Sequence, residues 1–391
     1  MENSIGVVQN AADVLQKNYI DGFSLNKSVS SVTVINIPFI GSYPRRYKKP
    51  YYSPKVDFHS FPGYEVFEYP FLNISVIKNI SRLYSSFKSV LNKFNNHSKF
   101  NEDENLVLVC YSMHLPFLLA CYFLKISKKK FKLCVIVPDL PEFMAVRHGM
   151  EKLIYNSIAR ISYGIVSRAD CVVAITSQML LKISEKGGVV IEGIASISPQ
   201  QGSINPQQVS NIKERFFFYS GTLDSRYGIR ELIDEFEFSG INDIELRICG
   251  EGDMKDYAIE ASKRNKNIRY LGQIDRDEVL NLQRKALVLI NPRKNSSEFT
   301  KYSFPSKIIE YMSSGTPVLM YRIDGVPEEY FDYCYVIDEG RGGLSNALKK
   351  ISLLNSEILE QKGFKAQKFI CERKNPIVQV EKIVDFMKGK F

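Results

Sequence analysis

The stretch Phe216-Phe-Phe-Tyr-Ser-Gly-Thr-Leu-Asp-Ser-Arg-Tyr-Gly-Ile-Arg-Glu-Leu-Ile-Asp-Glu-Phe236 reads as one complete strand–loop–helix unit. Phe216 to Tyr219 are four aromatic residues in a row, the uninterrupted apolar run of a strand buried on both faces. Ser220-Gly221-Thr222 ends it, and Ile229, Leu232, Ile233 and Phe236 then recur at the spacing of one buried helix face. The pattern repeats downstream. A strand at Glu245–Cys249 ends in Gly250-Glu251-Gly252, and a polar helix starts from about Met254. A strand at Ile268–Leu271 is closed by Gly272; a helix covers Asp275–Lys285 and a strand Ala286–Ile290. A helix over Ser306–Ser313 and a strand over Pro317–Tyr321 complete the series. Strands alternating with helices require crossovers, hence a parallel sheet covered on both faces. The second half is Rossmann-like.

The first half repeats this theme less regularly. Val32–Ile37, Val107–Cys110, Leu133–Val137, Cys171–Ala174 and Val189–Ile191 are short, mostly β-branched runs with helical stretches between several of them. Ala195–Asn211 is rich in Ser, Gln and Pro, lacks apolar periodicity, and reads as the linker. A chain of 391 residues accommodates two domains of about 100–200 residues each. The expected architecture is α/β: residues 1–200 as one Rossmann-like domain and 212–375 as a second, facing a central cleft. Ligands of such sheets bind at the carboxyl ends of the strands.

Hydrophobic residues at 45% and charged ones at 24% are ordinary for a globular protein and exclude disordered and disulfide-scaffold classes. Seven dispersed cysteines without a C-x-x-C, and no basic-then-apolar leader, point to reduced thiols and a cytoplasmic location. The longest apolar run, Leu115–Leu124, is about half of what a membrane-spanning helix needs. Charge is uneven: residues 1–200 carry 23 Lys/Arg against 15 Asp/Glu, whereas residues 201–391 carry 29 against 28. A basic first half meets a polyanion, either nucleic acid or an anionic membrane. No zinc pattern, RRM-type signature or basic zipper is present, which favours the membrane. The Lys125, Lys128, Lys129, Lys130 and Lys132 cluster and the helix Met150–Ser167 are the expected contacts.

The chemistry concentrates in Thr300-Lys-Tyr-Ser-Phe-Pro-Ser-Lys-Ile-Ile-Glu-Tyr-Met-Ser-Ser-Gly-Thr-Pro-Val318. Pro305 suits a first helical turn, leaving the amides of Ser306 and Lys307 free for a diphosphate. Glu310 falls on the same face one turn on, where a carboxylate accepts two hydrogen bonds from a ribose diol. The loop Gly221–Gly228 permits close backbone approach to a ligand, and Arg226 balances phosphate charge.

With these segments the chain resembles the family 4 glycosyltransferases, which have the GT-B fold and retain anomeric configuration. The resemblance rests on Tyr219-Ser-Gly-Thr-Leu223, Tyr227-Gly228-Ile229, Ile248-Cys-Gly-Glu-Gly252, Leu289-Ile-Asn-Pro-Arg293, Tyr302–Val318 and Pro327-Glu-Glu-Tyr330. In the first half Val137-Pro-Asp-Leu-Pro-Glu142, Ala169-Asp170 through Thr176 to Met179, and Ile191-Glu-Gly-Ile194 fit as well. The combination is most similar to bacterial enzymes building capsule, exopolysaccharide or O-antigen units. It implies a nucleotide-sugar donor, with UDP the expected nucleotide, on the second domain, and a glycan or lipid-linked glycan acceptor on the first. No metal and no other cofactor is implied, and the helix after Pro376 is expected to return to the first domain. Donor contacts are expected from Gly221, Thr222, Arg226, Arg293, Tyr302, Pro305, Ser306, Lys307 and Glu310. Two departures stand out: Tyr302 occupies the position of the family's first motif glutamate, and Thr222 and Tyr227 those of its diphosphate-binding Arg and Lys. Asp139 is expected to orient the acceptor, with His114 a second candidate, while the donor's own diphosphate takes the acceptor proton. Asn10, Ala11 and Glu142 are expected in cleft loops, and Ser4–Val8 is the only stretch that can serve as a first strand before them. A nucleotide-sugar epimerase and a non-catalytic GT-B partner subunit are the rival readings.

Overall fold

The computed structural model describes residues 10–75, 77–96, 105–128, 130–144, 149–196, 213–295 and 298–390. The chain divides into two compact units, Met1–Ile194 with Pro376–Phe391, and Ala195–Asn375. Ser4–Val8, Lys129 and all of the linker stretch except Ala195 and Ser196 lie outside the described residues.

The first unit begins with α1 (Asn10–Leu25) and β1 (Val32–Asn36). Four short strands follow: β2 (Tyr51–Tyr52), β3 (Phe58–Phe61), β4 (Tyr64–Glu68) and β5 (Phe71–Leu72). Then come α2 (Lys78–Asn96), β6 (Leu106–Tyr111), α3 (Leu115–Ser127), β7 (Phe131–Val137) and α4 (Pro141–Met144). The series closes with α5 (Gly149–Val166), β8 (Cys171–Ala174), α6 (Ser177–Ile183) and β9 (Val189–Val190). Strands β6-β7-β8-β9 form a parallel sheet in that order, with β7 and β8 almost wholly buried.

β1 is a correction to the sequence reading. It does not join this parallel sheet but pairs in parallel with β4, which forms an antiparallel hairpin with β3. Only partly buried, β1 finds its partner in aromatic strands that the apolar pattern does not reveal. Phe58 packs on Phe67 at 4.8 Å and Phe61 on Tyr64 at 5.0 Å across the hairpin. The signal that was available is the Pro62-Gly63 turn, where Gly63 adopts φ +87°.

The second unit contains β10 (Phe216–Ser220), α7 (Ile229–Ser239), β11 (Glu245–Cys249), α8 (Lys255–Arg264), β12 (Ile268–Tyr270) and α9 (Arg276–Lys285). It continues with β13 (Val288–Asn291), α10 (Lys307–Ser313), β14 (Val318–Tyr321), β15 (Tyr335–Ile337), α11 (Gly343–Ser352) and α12 (Ser356–Arg373). All strands are parallel, in the order β12-β11-β10-β13-β14-β15. This is the doubly wound order, with its switch point beside β10. Alternation within the apolar strands feeds two cores. Phe217, Tyr219, Leu246, Ile248, Val288 and Ile290 face the side covered by α7, α8 and α11. Phe216, Phe218, Cys249, Leu289, Val318 and Met320 face the side of α10 and α12. Element boundaries differ from the sequence reading by one or two residues; α10, for instance, starts at Lys307, with Ser306 as its N-cap.

The last helix, α13 (Pro376–Lys388), belongs to the first unit. Val380, Ile383 and Met387 fill one core with Tyr19 of α1 and with Cys134, Ile136, Cys171 and Val173 of the parallel sheet. Gln379 donates to the Gly193 carbonyl (3.1 Å) and Asn18 to that of Ile194 (2.8 Å), fixing the end of the unit's main segment. Ile383→Ala therefore removes a fully buried side chain and is expected to cost about 2–5 kcal/mol. Hydrogen exchange should show the loss in β7 and β8 with protection of β10–β14 unchanged.

Candidate functional site

In the second unit the carboxyl ends of β10, β11 and β12 open onto a cavity of about 330 Å³. Its wall includes Ser220, Gly221 and Thr222 after β10, Cys249, Gly250 and Glu251 after β11, and Gln273 and Ile274 after β12. Val279 of α9 and Lys307 of α10 complete it. Backbone hydrogen bonds tie these loops together: Gly221 N–H to Cys249 O (3.1 Å) and Leu223 N–H to Glu251 O (2.9 Å). Gly250, at φ +136°, makes the approach possible, since a Cβ there would lie 1.8 Å from the Gly221 oxygen.

Glu310 is anchored beside this wall. Its Oε1 accepts from Lys307 Nζ (2.8 Å) and from Gln283 Nε2 (2.7 Å). Gln283 is fully buried and also donates to Ser220 Oγ (3.0 Å), so it links Glu310 to the end of β10. Tyr311 completes the network by accepting from Ser220 N–H (2.9 Å) and donating to Ser220 O (3.0 Å). Burial opposes the charge on Glu310, but Lys307, Gln283 and Arg276 outweigh it and hold the carboxyl below its usual value. Sequence reasoning missed Gln283. A polar residue on an otherwise exposed, charged helix carries no local mark; only the fold shows that it is buried. Gln273 and Ile274 were findable, because they follow the strand ending in Gly272 as Gly221 follows β10.

The remaining donor candidates separate. Arg226 does not stand free for a diphosphate: it donates Nε (2.8 Å) and Nη2 (2.6 Å) to Asp224, whose side chain also caps the 3₁₀ turn Ser225–Tyr227. A bidentate local carboxylate takes the charge that the sequence assigned to phosphate. Arg293 is buried after β13, donates to Ser303 Oγ (2.5 Å) and lies over the rings of Phe299 (4.9 Å) and Tyr227 (5.6 Å). Among the described residues no carboxylate pairs with it, and burial lowers its pKa. Tyr302 ends the 3₁₀ turn Glu298–Tyr302, half-buried, and Pro305 and Ser306 lead into α10.

In the first unit, Asp139 follows β7 and is exposed, yet the protein flanking it pushes its carboxyl above the usual value. Its charge and, more strongly, burial raise the phenol of Tyr111, at the end of the neighbouring strand β6. His114 is the N-cap of α3 and packs edge-on against Phe39 at 4.7 Å. Burial, helped by Arg82 and Lys78, lowers its pKa to about 3, so it is neutral near pH 7 and a poor proton acceptor. Glu142 of α4 is clamped by Lys182 (2.7 Å) and the Tyr163 hydroxyl (2.6 Å), which joins α4, α5 and α6. Asn10 and Ala11 open α1, with their side chains outside the described residues. Among the described residues no group of three or more His, Cys, Asp or Glu could hold a metal ion, and no helix is long and apolar enough to cross a membrane.

The depressed Glu310 fixes the sign of a pH effect. Its charge contributes stability above the ordinary glutamate pKa of about 4.3, lost as pH falls through the lower folded value. Lys307→Met should raise the Glu310 carboxyl pKa, followed by side-chain NMR, and move the acid limb of unfolding to higher pH.

Residues 201–369 match the family model described as Glycosyl transferases group 1. No curated protein sequence matches the chain. Among solved structures, sucrose-phosphate synthase from Thermosynechococcus elongatus is similar at 16% identity and TM-score 0.59, over 95% of this chain and 92% of that one. The α,α-trehalose 6-phosphate synthase from Burkholderia multivorans is similar at 11% identity and TM-score 0.60, over 99% and 97%. A mutant of TarM from S. aureus, in complex with fondaparinux, alpha-GlcNAc-glycerol and UDP, is similar at 14% identity and TM-score 0.54, over 84% and 65%. With its doubly wound second unit and these similarities, the chain has the GT-B fold, and residues 201–369 match the model of group 1 glycosyl transferases.

Proposed function

We propose that the protein is a retaining glycosyltransferase that moves a hexose or N-acetylhexosamine from a nucleotide-diphosphate sugar to a growing, lipid-linked surface polysaccharide of the capsule, exopolysaccharide or O-antigen kind. The observation that carries this reading is Glu310, held as a carboxylate by Lys307 and Gln283 beside a cavity at the carboxyl ends of β10–β12. Glu310 is the ribose acceptor, Lys307 and the Gly221-Thr222 backbone the diphosphate contacts, and Ile274 and Val279 an apolar wall for the base. UDP is the proposed nucleotide, and no metal is required. In the reaction the acceptor oxygen bonds to the anomeric carbon as the bond to the diphosphate breaks on the same face. The acceptor proton passes to the departing diphosphate oxygen, and Asp139 orients the acceptor.

The lipid-linked acceptor fits a peripheral position on the inner membrane face. Lys125 does not serve this contact, because it pairs with Asp170 (2.8 Å) and donates to the Arg168 carbonyl (2.7 Å). Helix α5 supports it better, exposing Leu153 (69%), Ile154 (57%) and Ile161 (50%) together with Lys152 and Arg160.

Thermal unfolding with UDP, GDP, ADP and CMP and their sugar conjugates tests the donor site. A ligand at about 100 times its Kd stabilises by roughly 2.7 kcal/mol. Glu310→Ala should weaken binding by roughly 10- to 100-fold, the worth of a hydrogen bond to a charged group. Asp139→Ala should leave nucleotide binding intact and lower transfer. No shift with any nucleotide favours a non-catalytic partner subunit, and donor turnover without acceptor an epimerase.

A further inference from the structure

Two cations of the first unit are buried without a carboxylate partner among the described residues. Lys78 and Arg82 sit on the first turns of α2, 8% and 2% exposed. Among the described residues neither forms an ion pair. Lys78 donates to the Ile40 carbonyl and to Ser42 Oγ, and Arg82 donates to the Pro38 carbonyl (2.7 Å). The Arg82 guanidinium lies between the rings of Phe71 (4.7 Å) and Phe39 (5.0 Å). Its Nε has no hydrogen-bond partner among the described residues, and neither does the buried Nδ1 of His114, whose ring also packs against Phe39. His114 caps the 13-residue helix α3 without a side-chain hydrogen bond; Pro116 has no N–H and Phe117 N–H donates to the His114 carbonyl (3.1 Å), which leaves the Leu115 amide as the donor the first turn can offer.

Carbonyl oxygens and ring faces neutralise a buried cation only in part; a full counter-charge is what this cluster lacks. Every cation in it is shifted accordingly: burial and Arg82 lower Lys78 to about 8, and burial lowers Arg82 to about 10. The surrounding chain is short of acid: residues 37–96 carry nine Lys/Arg against three Asp/Glu, of which Glu65 pairs with Lys93 and Glu68 accepts from Asn36 and Tyr52. Phe39 covers the cluster while being 73% exposed itself, so its ring can move aside at little cost in burial.

We propose that Lys78, Arg82 and the α3 amino terminus at His114 form an oxyanion site that takes a phosphate group, with Phe39 as its cover. Resting on the glycosyltransferase reading, the phosphate is that of the acceptor, carried either by a lipid anchor or by a soluble phosphorylated sugar. The planar guanidinium and the Lys78 ammonium supply charge-assisted donors, and the helix end adds the Leu115 amide.

The test uses the full chain. Inorganic phosphate and glucose 6-phosphate are titrated by calorimetry, with glucose as the uncharged control, while the His114 ring nitrogens are followed by NMR. Phosphate should bind and shift the His114 resonances, and Lys78→Gln should weaken binding at least tenfold. Phe39→Ala, which removes an exposed ring, should bind at least as tightly as wild type. Phosphatidylcholine vesicles with and without a polyprenyl phosphate form the second arm. Capture by the phosphate-bearing vesicles in preference to soluble ester assigns the anion to a lipid, and the reverse to a soluble acceptor. Absence of binding, binding that leaves His114 unmoved, or equal binding by a folded Lys78→Gln overturns the proposal. UDP titrated in the presence of saturating phosphate reports on the second unit, so absence of nucleotide binding with phosphate binding intact defeats the enzyme reading and not this one.

Discussion

A strand buried on both faces has no polar surface of its own, and this constraint organises the second unit. Phe216, Phe217 and Phe218 point alternately into two cores, so β10 can offer chemistry only where it ends, at Ser220. β11 and β12, toward the sheet edge, are only partly buried, but their ends meet that of β10 in one cavity. Glycine at position 250 is a consequence: strand ends crowded this closely leave no room for a side chain against the Gly221 oxygen.

The two units treat buried charge in opposite ways. Glu310 is half-buried and accepts from the Lys307 ammonium, its counter-charge, and from the Gln283 amide, so it is held as a carboxylate. Such preorganisation leaves a fixed acceptor of hydrogen bonds beside the cavity, with no reorganisation needed for its use. Lys78 and Arg82 have donors to spend and only carbonyls, a hydroxyl and ring faces to receive them. Gln283 shows how little is left to chance on the first side: one buried amide connects the end of β10, the carboxylate of α10 and the helix α9 that carries it. Exposed ion pairs such as Arg226–Asp224 belong to a third class, in which solvent screening leaves mainly a local effect on the turn.

Local periodicity made the second unit legible from sequence. Apolar runs bounded by glycine, and helices with residues at i, i+3, i+4 and i+7, specify an element from its own residues, and their strict alternation specifies a parallel sheet. That Glu310 and Lys307 share one helix face was legible for the same reason, since a spacing of three places both side chains there; that they pair with each other was not. The sequence of the first unit was less informative where strands are two to five residues long and aromatic. There the Pro62-Gly63 turn was the stronger signal, and the partner of β1 could not be read because strand pairing joins residues about 30 apart in sequence.

What the sequence alone determined, then, is the order and type of the doubly wound elements, the helix-borne glutamate and lysine, and the excess of positive charge in the first half. Tertiary structure decided which groups are free. It gave Glu142 to Lys182 and Tyr163 and Lys125 to Asp170, and among the described residues left Arg293, Lys78 and Arg82 buried without a carboxylate. The physical reason is that an element's identity is a property of neighbouring residues, whereas the state of a charge depends on burial and on partners brought from distant positions by packing. Sequence reports which charges exist; only the fold determines which of them are already neutralised.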